Sequence, residues 1–149
     1  MTYQEKNVAV SLISGVIVFA FYAYFTRQMY QAGVFEGPGA GAQIGKSILW
    51  LIFGGIIVHI IAQIVFSIVH AIITKEAKPS SVVDERDRLI ELRALRVAYY
   101  IIGAGFVGAM IALALEQTYF LTFNIMIFSF FAASVVEGLV QLFLYRRGF

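Results

Sequence analysis

Glu137 is a lone carboxylate inside an otherwise uncharged stretch, flanked by residues 117–136 on one side and 138–145 on the other. An ionisable group in such a run is costly unless it is protonated, paired or facing water, so it marks a functional position by default. Ser134, Glu137 and Gln141 recur at helical spacing and share one face. A second polar stripe lies on another uncharged run, where His59, Gln63 and His70 fall at helical angles of about 0°, 40° and 20°. Counted from the ends of their runs, Glu137 sits ~12 Å deep, His70 ~6 Å and Gln63 ~16 Å, so the stripes overlap. The plainest expectation is a hydrogen bond from Glu137 to His70 or Gln63 that fixes helix register. The sharper one is proton or cation handling by Glu137 with His59, Gln63, His70 and Gln141.

Other chemistries have weaker support. The two histidines share one helix and lie ~16 Å apart along its axis, so one haem cannot take both unless two copies contribute. His59 and Gln63 lack a third metal ligand. There is no cysteine, which excludes disulfide exchange and thiolate ligation. Residues 40–47 fit a relaxed phosphate-loop pattern, but Ala40 stands where the strict form has glycine and no strand precedes it. Residues 103–108 fit a dinucleotide fingerprint formally, yet they sit inside an apolar run. Gly103, Gly105 and Gly108 are better read as helix-packing residues, through the small pairs Ala104/Gly108, Gly105/Ala109 and Gly108/Ala112. No nucleophile–base pair is visible. The expectation is no enzyme, no catalytic residue, no metal and no cofactor, and a net charge of +2 is too small to point to nucleic acid.

The elements that must carry these residues are four long apolar runs, 8–26, 47–74, 97–115 and 118–145. Nineteen residues make about 28 Å of helix, roughly enough to cross a ~30 Å hydrocarbon core. Charged residues are 13% of the chain, about half the ~25% usual in soluble domains. The expected fold is all-α, a single integral membrane four-helix bundle over residues 1–149. The loops between the first two and the middle two spans are about 20 residues each, too short for a core of their own. The first of them holds Gly33, Gly37-Pro38-Gly39 and Gly41 and should be irregular and mobile. Only a few residues around 116–118 join the last two spans, which forces an antiparallel hairpin.

Orientation follows from the basic residues. With the N-terminus inside, that side holds Lys6, Lys75, Lys78, Arg86, Arg88, Arg93, Arg96, Arg146 and Arg147, and the other only Arg27 and Lys46. Nine against two predicts both termini in the cytoplasm. Aromatic anchors agree, with Tyr24, Phe25, Trp50, Tyr119 and Phe120 at the outer level and Tyr99, Tyr100 and Tyr145 at the inner one.

The inner loop carries the remaining pattern. Pro79-Ser80-Ser81 should break the second helix, and Ser81 with Asp84 resembles a helix start. Asp84, Glu85 and Asp87 place negative charge in the first turn, which suits the positive end of a helix. Asp84–Arg88, Glu85–Arg88 and Arg88–Glu91 have the spacing to pair. No Gly or Pro interrupts 84–96, so the helix should run into the third span and project about three turns into the cytoplasm. There Asp84, Glu85, Arg86, Asp87, Arg88 and Arg93 would meet a partner or lipid headgroups.

Residues 84–94, Asp-Glu-Arg-Asp-Arg-Leu-Ile-Glu-Leu-Arg-Ala, resemble a signature of small prokaryotic membrane proteins grouped as a domain of unknown function. That signature has an Asp-Glu-Arg start, an apolar residue near Ile90, and a basic-Ala pair like Arg93-Ala94 leading into a transmembrane helix. The resemblance covers roughly 84–100 and the four-span layout. It implies a prokaryotic inner-membrane location and no particular reaction. The leading expectation is a non-enzymatic interaction or regulatory subunit. Its partners would be the bilayer, a second copy, or a membrane or cytoplasmic protein. The runner-up is a dimeric small transporter or proton-coupled carrier.

Overall fold

The computed structural model describes residues 3–74 and 84–147. They form four helices, α1 Tyr3–Gln31, α2 Ala40–Thr74, α3 Glu85–Ala114 and α4 Tyr119–Arg147, each long and apolar enough to cross a membrane. At 1.5 Å per residue the longest, α2, reaches about 52 Å.

Neighbouring helices run antiparallel, as side-chain pairs show. Climbing α1, Leu12 meets Gly138, Phe19 stacks on Phe131 and Tyr22 bonds Asn124, stepping down α4. On the other side of α1, Tyr3 meets His70, Ser11 meets Gln63 and Ser14 meets His59, stepping down α2. α4 is the hub, packed on α3 and α1 and touching α2 lightly, while α2 and α3 stay apart among the described residues. The bundle is therefore open on one side. Residues 3 and 147 lie at one end, and the connections 32–39 and 115–118 at the other.

The α3–α4 seam is the tightest. Ile90, Ala94, Ala98, Ala109 and Ala112 on α3 are buried, with Ala94 and Ala109 fully covered. Gly105 lies against Ser129 so closely that any Cβ would overlap that side chain, and a Cβ at Gly108 would rest 3.7 Å from Ile125. Ser129 tolerates this because its hydroxyl donates to the Met126 carbonyl on its own helix at 2.7 Å. Small residues let two backbones approach and collect dispersion contacts, the main attraction available between apolar helices outside water. Gly105 and Gly108 meet the packing expectation. Gly103 does not: it faces open space.

Both helix connections are shaped by backbone capping. After α3, Glu116 adopts φ 54°, with Glu116 N–H on Leu113 O at 3.1 Å and Gln117 N–H on Ala112 O at 3.0 Å. This is a Schellman close with glutamate at the position glycine usually fills. Thr118 then accepts the Leu121 N–H on its side chain at 3.3 Å and starts α4. α1 ends the same way with Gly33 at φ 70°.

The loop expected to be irregular over 27–46 is helical at both ends and irregular only over 32–39. Phe35 is buried and stacks on Phe120, which also stacks on Tyr30. Residues 40–47, the phosphate-loop mimic, are the first two turns of α2, so no cradle exists there. At α3 the helix starts at Glu85 with Asp84 as the N-cap, later than the Ser81 start expected from sequence. Ser81 and the Pro79-Ser80 break lie outside the described residues. Glu85 and Asp87 do fall in the first turn, but Arg88 forms no ion pair with Asp84, Glu85 or Glu91. Arg146 and Arg147 close α4, where positive charge favours a helix end.

Candidate functional site

α1, α2 and α4 flank an open cavity of about 1100 Å³, lined over residues 4–19, 48–60 and 123–145, with the first turns of α3 at one flank. Its lining changes character at a single level. Toward the termini, α1 contributes Gln4, Asn7, Ser11 and Ser14, and α4 contributes Ser134, Glu137, Gln141 and Tyr145. Asp87 and Glu91 of α3 stand at the same end. Toward the connections the wall is apolar, with Val18 and Phe19 on α1, Leu51 and Ile52 on α2, and Phe123, Ile127, Phe130 and Phe131 on α4. His59, beside Ser14, sits at the boundary. Among the described residues three carboxylates line this space, and no Lys or Arg does.

Glu137 is half-buried, and its Oε1 accepts from Gln141 Nε2 at 3.2 Å, one turn along the same helix. The expected bond to His70 or Gln63 does not form. Gln63 Nε2 donates instead to Ser11 Oγ at 2.8 Å. His70 lies 4.9 Å from the Tyr3 ring and 5.9 Å from that of Phe66. The reason is the helix order: α2 packs chiefly on α1, so its polar stripe is spent on α1 rather than on α4. His59 alone of that stripe lines the cavity. Its Nδ1 is 3.5 Å from Ser14 Oγ, whose hydroxyl already donates to Ser11 O at 2.9 Å. Any bond between them is thus donated by the imidazole.

Asp87 stands beside Tyr145 of α4 at the cavity mouth, with Arg86 close by. Of the other charged candidates on early α3, Asp84, Glu85, Arg86, Arg88 and Arg93 are exposed and line no part of the cavity. At the far end Tyr22 donates to Asn124 Oδ1 at 3.3 Å and lies beside Thr26 and Ser47. With the Tyr30–Phe120–Phe35 stack, these contacts sit beyond the apolar wall.

Sequence reasoning missed the α1 wall. Its signal was available: Gln4, Asn7, Ser11 and Ser14 recur at spacings of three and four, a polar helical stripe in an apolar run. Among the described residues no group of His, Asp and Glu is arranged to hold a metal ion. Comparison with family models, with curated proteins and with solved structures finds no match. Fold and site together define an all-helical chain of four membrane-length helices around an acid-lined, polarity-divided cavity.

Proposed function

We propose that this is a four-span integral membrane protein, both termini cytoplasmic, that acts as a small proton-coupled cation carrier. The observation that carries the reading is Glu137 lining an open cavity with Asp87 and Glu91, a lining that includes no Lys or Arg among the described residues. A carboxylate at that depth must be neutralised, and a proton and a bound cation compete for the task. Occupancy by one excludes the other, which is the minimum requirement for exchange. This reverses the order expected from sequence, since the structural alternative relied on Glu137 being tied to α2. Gln141 keeps the carboxylate oriented, and His59 offers a second polar group at the inner limit of the wet half.

The test is a vesicle assay with cations of graded apolar size, from sodium to tetrabutylammonium, read by an internal pH dye. At least one should drive proton flux in the wild-type protein. Glu137→Gln, which keeps the side-chain shape, should remain folded and lose that flux. Absence of flux with every cation, or undiminished flux in the folded variant, would refute the carrier.

The interaction-subunit reading keeps one supporting observation: Leu89 and Leu92 on early α3 are exposed beside Arg86, Arg88 and Arg93. On the carrier reading, reversing charge at Arg86 and Arg88 leaves flux intact.

A further inference from the structure

The size and the divided lining of the cavity say what kind of cation it fits. We propose that it takes one amphipathic organic cation, its charged head beside Glu137, Glu91 and Asp87 and its apolar body against Phe123, Phe130 and Ile127. The inference rests on the cation reading above and adds the ligand class.

Three observations converge on it. First, an inorganic ion bound directly needs several ligands within about 2.0–2.6 Å, and no cluster of His, Asp and Glu among the described residues is arranged to supply them. The acidic groups are spread over two helices and several turns, which suits a diffuse charge rather than a point one. Second, at about 1100 Å³ the cavity exceeds a typical small-molecule pocket of ~300–1000 Å³. Such a volume, apolar over half its length, fits a bulky body. Third, the polar lining residues of α1 and α4, Gln4 to Ser14 and Ser134 to Tyr145, lie toward the termini, and beyond Ser14 and Ser134 the lining of both helices is apolar. A ligand that is charged at one end and greasy at the other matches that boundary. A uniformly polar ion leaves the apolar half empty, and a neutral hydrocarbon leaves the carboxylates without a partner.

The experiment compares tetraphenylphosphonium, tetraphenylborate and tetramethylammonium on the purified protein in lipid nanodiscs, with empty nanodiscs subtracted for partition. The first two share a shape and differ in sign; the third keeps the sign and removes the body. Saturable binding of tetraphenylphosphonium is expected, with both others at least tenfold weaker. Glu137→Gln should weaken it about tenfold or more, the scale of one contact to a charged group. Glu91→Gln, at an exposed position where folding is not at stake, should weaken it several-fold.

Equal binding of tetraphenylborate would overturn the role of charge. Binding of tetramethylammonium alone, sensitive to Glu137→Gln, would overturn the amphipathic class and leave the cation reading standing. No saturable binding of any probe, with Glu137→Gln indistinguishable from wild type, would remove both.

Discussion

Replacing Gly105 by alanine tests the closest helix contact in the molecule with a single methyl group. The new Cβ would fall on Cβ and Oγ of Ser129 and 3.5 Å from its Cα, so turning a side chain does not relieve the overlap and the helices must move apart. Forcing an extra methyl into a packed seam costs about 1–3 kcal/mol. Alanine also favours a helix over glycine by ~1 kcal/mol, which would mask part of the loss. Gly103→Ala supplies the control, because it lies in the same helix, gains the same propensity and has open space around it. The difference between the two variants isolates packing. It should be about 1–3 kcal/mol, with each kcal/mol lowering the melting temperature by ~2–4 °C in a chain of this size. Thermal unfolding in a mild detergent is the assay. A second variant completes the argument: Ser129→Gly removes the Cβ being struck, so Gly105→Ala placed on that background should cost at least 1 kcal/mol less, a direct coupling of neighbours. Equal stability of Gly105→Ala and Gly103→Ala, or no recovery with Ser129→Gly, would show that the seam is not closed as described.

Two further outcomes follow from the connections and the charge bias. Glu116→Gly should stabilise by about 0.5–1 kcal/mol, since an L-residue in the left-handed region costs ~1–2 kcal/mol and the extra freedom of glycine in the unfolded chain returns part of it; a lower melting temperature would contradict this. A reporter fused after Phe149 should be active only on the cytoplasmic side, because seven of the nine basic residues among the described ones lie toward the termini, and activity on the outer side would invert the topology.

The number and order of the helices were legible because the apolar runs exceed anything a soluble core needs, and charge alone delimits them. Their packing order was not. Hydropathy along a chain does not say which faces meet, so the pairing of Glu137 with α2 was a guess about neighbours, and α2 turned its polar stripe toward Ser11 and Ser14 of α1. Gly105 could be recognised from its small-residue spacing; Gly103 entered with the glycine-rich 103–108 run but belongs to none of the small-residue pairs, and it faces open space. The Ser134–Glu137–Gln141 face was read correctly since it needs only one helix. Gly138, whose missing side chain admits Leu12, gave no sign in a single sequence. The cavity itself belongs to three helices at once, and only their juxtaposition creates it.

The contacts between α1 and α4 toward the far end have a thermodynamic consequence. The polar mouth lies on the same side as both termini, so on the proposed carrier reading a cation bound for the opposite face must pass the level of the Phe19–Phe131 stack and the Tyr22–Asn124 bond. An interhelical hydrogen bond of this kind contributes ~0.6–1.7 kcal/mol and an aromatic pair ~0.5–1.5 kcal/mol. Together they would favour the shut form by roughly six- to two-hundredfold, within the range where a minor conformer stays populated enough to work. A latch of that strength is weak enough to be lifted by the ligand itself, without an external energy source, provided the ligand touches the open form better than the shut one.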